Sequence, residues 1–148
     1  MVSFPEAVKL FFTRYVDFQG RSRRSEYWWV VLLHILVFAV LGGLAVGLGA
    51  DYQTGEFSAM GGLLFGLLGL YALAIIIPNI ALLVRRLHDI NQTGWIALAL
   101  YVAAVIPVIG LLASIAQIVI GCIPGTVGPN KYGPDPKNPA AGTAETFV

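Results

Sequence analysis

Charged residues are scarce in this sequence. Only 11% of its 148 residues are charged, whereas soluble domains carry about 25%, so a water-soluble globule is the wrong class. Nine basic and eight acidic residues leave a net charge of +1, which gives no whole-chain field for nucleic acid. We therefore expect no nucleic-acid partner, and any electrostatic role must belong to a local patch.

Cysteine and histidine are also sparse. The one cysteine, Cys122, cannot close a disulfide within the chain, and we expect it to pack as a small apolar residue near a helix end. The two histidines, His34 and His88, do not have the spacing of a zinc site. Because no activated nucleophile or acid–base set accompanies them, the sequence predicts no catalytic, metal or cofactor-binding residues and a protein that is not an enzyme.

Uninterrupted apolar sequence is what the chain has in abundance. Three runs of 24, 28 and 41 residues contain no Lys, Arg, Asp or Glu: Tyr27–Ala50, Phe57–Val84 and Ile90–Asn130. Each run exceeds the roughly 20 residues that cross a bilayer core of about 30 Å. The runs predict an all-α integral membrane protein, a single membrane domain over 1–148, with full transmembrane helices over 27–50 and 60–84 and a third apolar segment over 95–123.

The third apolar segment is interrupted by Pro107 and Gly110. It is either one kinked span or a helical hairpin with two short arms. The hairpin places nine basic residues on one side of the membrane and none on the other, whereas a single span gives seven against two, so the orientation rule favours the hairpin. Both alternatives predict a multi-pass protein with a cytoplasmic N-terminus and a cytoplasmic Arg85–Gly94 loop. Pro78 is expected to kink the second span.

The residues before the first span predict an amphipathic helix. Ser3 and Glu6 form a capping pattern, and apolar residues then recur every three or four positions as far as Phe18. We therefore place an amphipathic helix over 3–19, whose apolar face suits either the membrane interface or packing on the spanning helices.

The residues after the third segment predict an irregular tail. Five prolines and four glycines fall among the 25 residues of 124–148, which is unfavourable for regular secondary structure. We expect an ordered Gly/Pro-rich meander as far as Pro136 and a disordered end from Lys137 onward.

Polar residues and glycines inside the spans are interpreted as packing features. His34, Asn79 and Gln117, together with Ser114, are intramembrane polar residues that we expect to hydrogen-bond between helices, and His34 is expected to stay neutral. Both full spans also contain glycines at four-residue spacing, a pattern that favours close helix approach. These glycines are Gly42, Gly43 and Gly47 in the first span and Gly62, Gly66 and Gly69 in the second.

Charged residues that flank the spans form one candidate site, which we call the charge cluster. Its members are Arg21, Arg23, Arg24, Glu26, Arg85, Arg86, His88 and Asp89. It is either a structural network or a site for an anionic head group or a partner's carboxylate. Five arginines against two carboxylates leave three positive charges after full pairing. We therefore expect Glu26, Arg85, Arg86 and Asp89 to form one connected cluster and at least one arginine to stay free.

Three ordered motifs resemble the signatures of a known family. They are Gly20 to Trp28, Arg85 to Trp95, and Gly125 to Pro136. Over about residues 8–137 the chain is similar to the bacterial inner-membrane domain-of-unknown-function family 805, with Thr93 where serine is common and Ile96 where a second tryptophan is frequent. The resemblance implies the bacterial inner membrane as location and supports this architecture, and it implies no established activity.

Two functional hypotheses follow from these patterns. The first is a non-enzymatic membrane protein whose basic cytoplasmic face binds anionic membrane lipids, a membrane-protein partner or a second copy of the chain. The second is a subunit of an oligomeric small-solute or ion transporter or channel, which the glycine-rich spans, Pro78, Pro107 and His34 suggest.

Overall fold

The computed structural model describes residues 1–49, 56 and 58–138. Over those residues the chain forms six helices, no strand, and one isolated β-bridge between Asn130 and Gly133. In chain order the helices are α1 Phe4–Thr13, α2 Arg24–Gly49, α3 Ala59–Ala74, α4 Ile76–Asp89, α5 Trp95–Ala103 and α6 Pro107–Cys122. The predicted all-α fold class is confirmed.

Helix α1 begins as its capping pattern predicts but is shorter than the predicted 3–19 segment. The Ser3 N–H donates to Glu6 Oε2 at 3.4 Å, and the helix ends at Thr13. Beyond it, the Asp17 carboxylate accepts hydrogen bonds from Arg14 Nε at 2.8 Å and from the Gln19 N–H at 2.9 Å. An aspartate that bonds nearby donors in this way offers the backbone an alternative to the helix.

The apolar face of α1 packs on other helical residues over part of its length. Phe11 is fully buried, and the Phe4 ring meets the Trp29 ring edge-on with centroids 5.6 Å apart. Phe12 is half exposed. Of the two expected roles for this face, packing on the spanning helices is the one that the contact of Phe4 with Trp29 supports.

Helix α2 is the clearest candidate membrane span. Its 26 residues include 18 with a mean hydropathy of 2.6, so it is long and apolar enough to cross a bilayer. It begins at Arg24, three positions before the predicted start of the first span. Its first turn therefore contains Glu26, whose negative charge suits the positive end of the helix dipole.

The second predicted span is divided into α3 and α4 at Ile75. Together the two helices are apolar and long enough to cross a membrane as a bent pair. The break lies within one turn before Pro78, because a proline lacks the backbone N–H and its ring clashes with the carbonyl four residues earlier, here that of Ala74. The predicted kink is therefore present, displaced toward the N-terminus of Pro78.

The third apolar segment forms α5 and α6, with a break just before Pro107. The two helices contact each other. Near the end of α4, Arg86 donates to the carbonyls of Ile120 and Ile123 at the end of α6, and only five residues separate α4 from α5. A straight helix over 95–123 would separate its two ends by about 43 Å, whereas here both ends lie near the end of α4, so the hairpin alternative fits the structure.

The Gly/Pro-rich tail is irregular as far as Asn138, as predicted. Its described part contains turns and the bridge between Asn130 and Gly133. Most of the predicted disordered end, residues 139–148, lies outside the described residues, as does most of the loop between α2 and α3.

The chain forms two compact units. One unit is Val31–Ile76, and the other consists of Met1–Val30 and the chain from Ile77 onward. All eight residues of the charge cluster belong to the second of these.

Inside the Val31–Ile76 unit, the closest approach of two helices does not occur at the glycines with four-residue spacing. A Cβ atom built on most of the predicted glycines would meet no described atom within 4 Å, namely on Gly43, Gly47, Gly62, Gly66 and Gly69. The close approach occurs at Gly49, where a Cβ would lie 2.3 Å from Gly61 Cα. Four-residue spacing predicts that small residues share a helix face but not that this face meets another helix.

Candidate functional site

Two arginines in the last turns of α4 are completely buried. Arg85 and Arg86 both have 0% exposed surface, and Asp89, one turn on, has 3%. Charged side chains are almost never buried at this level unless they are paired. Arg86 Nη1 lies 2.5 Å from Asp89 Oδ2, so these two residues at i, i+3 spacing form an ion pair inside the protein rather than on its surface.

Asp89 also binds a second guanidinium from a distant part of the chain. Arg21 contributes an ion pair of 3.0 Å to Asp89 Oδ1, and it is itself 6% exposed. One carboxylate therefore accepts Arg86 on one oxygen and Arg21 on the other. Two charge-assisted bonds to the same group fix the segment before α2 against the end of α4.

Arg85 faces a different carboxylate. Its Nη2 atom lies 3.6 Å from Glu26 Oε1, a distance too long for a hydrogen bond but short enough for a Coulombic pair. Its Nη1 atom donates to the carbonyls of Arg14 at 3.2 Å and Asp17 at 2.5 Å. Arg85 thereby holds the turn that follows α1.

The arginines of the cluster also bind backbone carbonyls of the tail. Arg21 donates to Thr126 O at 2.5 Å and to Gly128 O at 2.7 Å, and Arg86 donates to Ile123 O. We call the group Arg21, Glu26, Arg85, Arg86 and Asp89 the arginine clasp. It joins the beginning of the chain, the end of α4 and the tail.

The end of α6 is capped by the same elements. Arg86 Nε donates to Ile120 O at 3.2 Å and Trp28 Nε1 to Gly121 O at 3.2 Å, while Arg24 Nη1 donates to Cys122 O at 3.3 Å. The last carbonyls of a helix have no partner within it and carry its negative dipole end. Cationic and N–H donors from α2 and α4 satisfy them here.

The tail in turn caps α4. The Thr126 N–H and hydroxyl both donate to Asp89 O, at 2.8 and 3.0 Å, and Asn130 Nδ2 donates to His88 O at 2.9 Å. Sequence reasoning assigned no role to Thr126 or Asn130. Their only signal was membership of the Gly125 to Pro136 motif.

Gly125 lies in direct contact with the clasp. A Cβ atom at this position would be 2.0 Å from Asp89 Oδ2. Only a residue without a side chain allows the tail to approach the paired carboxylate so closely.

Asp135 closes a turn within the tail. Its carboxylate accepts the N–H of Lys137 at 2.9 Å and that of Gly128 at 3.0 Å. The Lys137 N–H, with the Gly128 N–H and the positive charge of Arg21, lowers the pKa of Asp135 from its ordinary value and outweighs the opposing effect of burial. This residue was also missed in the sequence.

His88 is held by a hydrogen bond to its ring and by stacking on a neighbouring ring. Its Nδ1 atom lies 3.1 Å from Gly20 O, and because a carbonyl only accepts, Nδ1 carries the proton. The His88 ring stacks on the Tyr132 ring with centroids 3.8 Å apart and an angle of 8°. It does not contact the clasp carboxylate as an acid–base partner would.

Two arginines of the charge cluster remain outside the clasp. Arg24 is exposed and Arg23 is half-buried. Arg23 donates to Pro136 O. With Lys137 they line a cavity of about 410 Å³, to which Met1 and Ser25 also contribute. We call this the basic cavity.

The intramembrane polar residues differ in their contacts. His34 Nδ1 lies 2.7 Å from the Tyr71 hydroxyl, so the predicted bond between helices is present. Ser114, in contrast, donates to Gly110 O within its own helix at 2.9 Å, a bond that short hydroxyl side chains make readily. Gln117 contributes its backbone carbonyl, which accepts from the Tyr27 hydroxyl at 3.2 Å. Asn79 also has a partner.

The reactive residue types form no additional site. Within residues 1–49, 56 and 58–138, no group of three His, Cys, Asp or Glu side chains could hold a metal ion. Cys122, expected to be packed, is exposed at the end of α6. Gly121, the residue before it, lies against the rings of Tyr27 and Trp28.

Comparison with known proteins finds one family and several relatives. The model of a family described as "Protein of unknown function (DUF805)" matches residues 15–134. Inner membrane protein YhaH of Escherichia coli (strain K12) is 41% identical over 124 residues, which cover 83% of this chain and 89% of YhaH. Inner membrane protein YhaI of the same organism is 39% identical over 123 residues, covering 83% and 88%. No solved structure matches the chain.

Proposed function

The chain belongs to the DUF805 family, and we propose that it is a non-enzymatic protein of the bacterial inner membrane that binds the head groups of anionic phospholipids. The observation that carries this proposal is the basic cavity. Arg23, Arg24 and Lys137 line it, and none of its described lining residues is acidic. A cavity with this lining favours a phosphate group.

Burial separates the arginines available for a ligand from those that are not. Arg21, Arg85 and Arg86 are buried in the clasp and bonded to carboxylates or carbonyls, so a lipid would have to break the fold to reach them. Arg24 is exposed, and its bond to Cys122 O occupies one nitrogen of the guanidinium. The free arginine expected from the charge count is therefore best assigned to Arg24.

The chemistry of the three cations suits a phosphodiester. A guanidinium presents paired N–H donors that match two phosphate oxygens, while a lysine ammonium supplies a compact charge. Each basic residue near an anionic membrane surface contributes about 1 kcal/mol of attraction. Lipid would thus stay bound through the combined effect of several modest contacts.

A cytoplasmic orientation of this cavity is part of the proposal. Because the hairpin returns the tail to the end of α4, all nine basic residues lie in segments assigned to one side, as the enrichment of Lys and Arg in cytoplasmic loops favours. The inner leaflet then provides the ligand.

Native mass spectrometry of the purified protein tests the proposal. Arg24→Gln and Lys137→Gln should each lower the fraction of protein that retains phosphatidylglycerol, and the double variant should lower it further. Lys9→Gln is the matched control, because it removes one exposed charge from α1, away from the cavity. The proposal fails if the double variant retains as much lipid as the Lys9→Gln control.

A partner protein with a carboxylate would meet the same guanidinium groups. In that case the double variant would lose a copurifying protein, or its own self-association, while phosphatidylglycerol retention stayed at the control level. That outcome would replace lipid by a membrane-protein partner or a second copy.

A further inference from the structure

An apolar groove of about 570 Å³ lies beside the charged end of α4. Its size is within the range of ligand-binding cavities, which is about 300–1,000 Å³. One wall is a single face of α4, with Ile80, Val84 and His88 at four-residue spacing, and Trp95 and Leu98 of α5 line it as well. Phe18, Thr93, Gly94 and Tyr132 complete the lining.

The polarity of the groove changes along α4. Ile80 and Val84 belong to the charge-free run that ends at Val84, whereas His88, about 12 Å further along the helix than Ile80, provides a ring nitrogen. Thr93 adds a hydroxyl at the same end. The groove is thus apolar at one end and polar at the other, as the acyl and glycerol regions of a phospholipid are.

A cation stands next to the polar end. The Lys131 Nζ atom lies 4.9 Å from the centre of the Tyr132 ring, and the Tyr132 ring is stacked on His88. Lys131 is exposed. The charge is therefore available to a phosphate whose lipid chain lies in the groove.

We propose that the apolar groove binds one phospholipid molecule, with an acyl chain along Ile80, Val84 and Leu98 and the phosphate beside Lys131. The groove shares no residue with the basic cavity, and the inference goes beyond the function proposed above. The occupant follows from the surroundings. The chain is an inner-membrane protein, Trp95 is 76% exposed at the groove, and tryptophan and tyrosine favour the lipid–water interface.

His88 and Thr93 define which lipid atoms the polar end can hold. Because Nδ1 of His88 donates to Gly20 O, Nε2 of the neutral ring accepts, and a Cβ on the groove residue Gly94 would lie 3.2 Å from it. A head-group hydroxyl can donate to this nitrogen, and Thr93 can donate to an ester or phosphate oxygen. Phosphatidylglycerol has both kinds of group.

Photocrosslinking in lipid nanodiscs tests the proposal. The full chain is reconstituted with a small fraction of phosphatidylglycerol that carries a diazirine on its acyl chain, and adducts are mapped by peptide mass spectrometry. We expect adducts on the α4 and α5 groove residues that saturate with probe. Leu98→Trp and Ile80→Phe, which fill the groove from opposite walls, should each lower this yield at least fivefold. Leu112→Phe, on an exposed part of α6, should not.

A second measurement tests the phosphate contact. Lys131→Gln should reduce the preference of the groove for the phosphatidylglycerol probe over a phosphatidylcholine probe by about threefold. The Arg24→Gln, Lys137→Gln double variant should leave the groove adducts unchanged, so failure at one site is distinguishable from failure at the other. The proposal is overturned if the crosslinking yield in the groove is the same in both filling variants as in the parent. It is also overturned if Lys131→Gln leaves the preference for the phosphatidylglycerol probe unchanged.

Discussion

Asp89 is the carboxylate on which the arginine clasp depends. It is 3% exposed and pairs with both Arg21 and Arg86. A buried ion pair is not in itself strongly stabilising, because desolvation offsets the attraction, but removing one partner leaves an uncompensated buried charge. The energetic importance of Asp89 therefore appears when it is replaced.

Asp89→Asn should lower the free energy of unfolding by about 3–5 kcal/mol, since two guanidiniums lose their counter-charge. Thermal unfolding in detergent measures the change. Asp17→Asn is the control, because Asp17 forms a partly exposed pair with Arg14 and such pairs contribute less than about 1 kcal/mol. Equal losses in the two variants would contradict the role assigned to the clasp.

Gly125→Ala should be destabilising despite the small size of the added methyl group. The new Cβ would lie 2.0 Å from Asp89 Oδ2, and overpacking of this kind costs about 1–3 kcal/mol. The same unfolding assay applies. Gly66→Ala has no described neighbour within 4 Å and should be neutral or slightly stabilising, because alanine favours a helix over glycine.

Asp135 makes the order of the tail sensitive to acid. Its pKa is lowered by the Lys137 and Gly128 N–H groups and by Arg21, so its contribution is present above the unfolded value of about 3.9 and is lost as the pH falls through the lower folded value. A spin label at Val127→Cys in a Cys122→Ala background should become mobile below about pH 4. With Asp135→Asn added, the label should be more mobile at neutral pH and respond less to acid. An unchanged pH response would argue against this assignment.

At the scale of elements, the apolar runs predicted where helices form better than where they end. Helix α2 starts three positions before the predicted span because polar Arg24 and Glu26 still fit its first turn. Helix α1 ends early because the Asp17 carboxylate accepts hydrogen bonds from Arg14 Nε and from the Gln19 N–H. Apolar periodicity carries no information on such local competition.

The members of the charge cluster were predictable from the sequence, but the partner of each arginine was not. Counting charges predicted that Glu26, Arg85, Arg86 and Asp89 form one connected cluster. The described ion pairs instead form two groups, with Arg21 and Arg86 on Asp89 and Arg85 on Glu26. The tail carbonyls that accept from Arg21 and Arg86 could not be predicted. A backbone acceptor is the same at every residue, so it leaves no signature in the sequence.

The hairpin of α5 and α6 leads to a topology prediction. Single cysteines at Ser3, Ser58, Gln92 and Val127 in a Cys122→Ala background are labelled in intact cells with a thiol reagent that does not cross the inner membrane. Only Ser58, just before α3, should react if the remaining positions face the cytoplasm. Reaction at both Val127 and Ser58, without reaction at the other two positions, would contradict the hairpin. Reaction at Ser3 would reverse the proposed orientation.

At the scale of the whole molecule, His34 distinguishes the lipid-binding hypothesis from the transporter hypothesis. Its bond to the Tyr71 hydroxyl joins α2 and α3. We expect His34→Gln to accumulate normally, because glutamine can accept a hydrogen bond from the same hydroxyl. We also expect proteoliposomes of the parent protein to show no proton-linked flux. A flux that disappears in His34→Gln would favour the transporter.

The clasp joins residues that the ribosome makes at very different times. Arg21 and Gly128 are 107 positions apart, so at about 5–20 residues per second the arginine waits roughly 5–20 s for its carbonyl partner. During that interval it is a hydrated cation, which, in the orientation proposed above, would favour a cytoplasmic N-terminus while the first helices insert. Once the tail is made, the same guanidinium is buried against its carbonyls. Under that proposal, the order of translation would let one side chain act first on insertion and then on the stability of the folded chain.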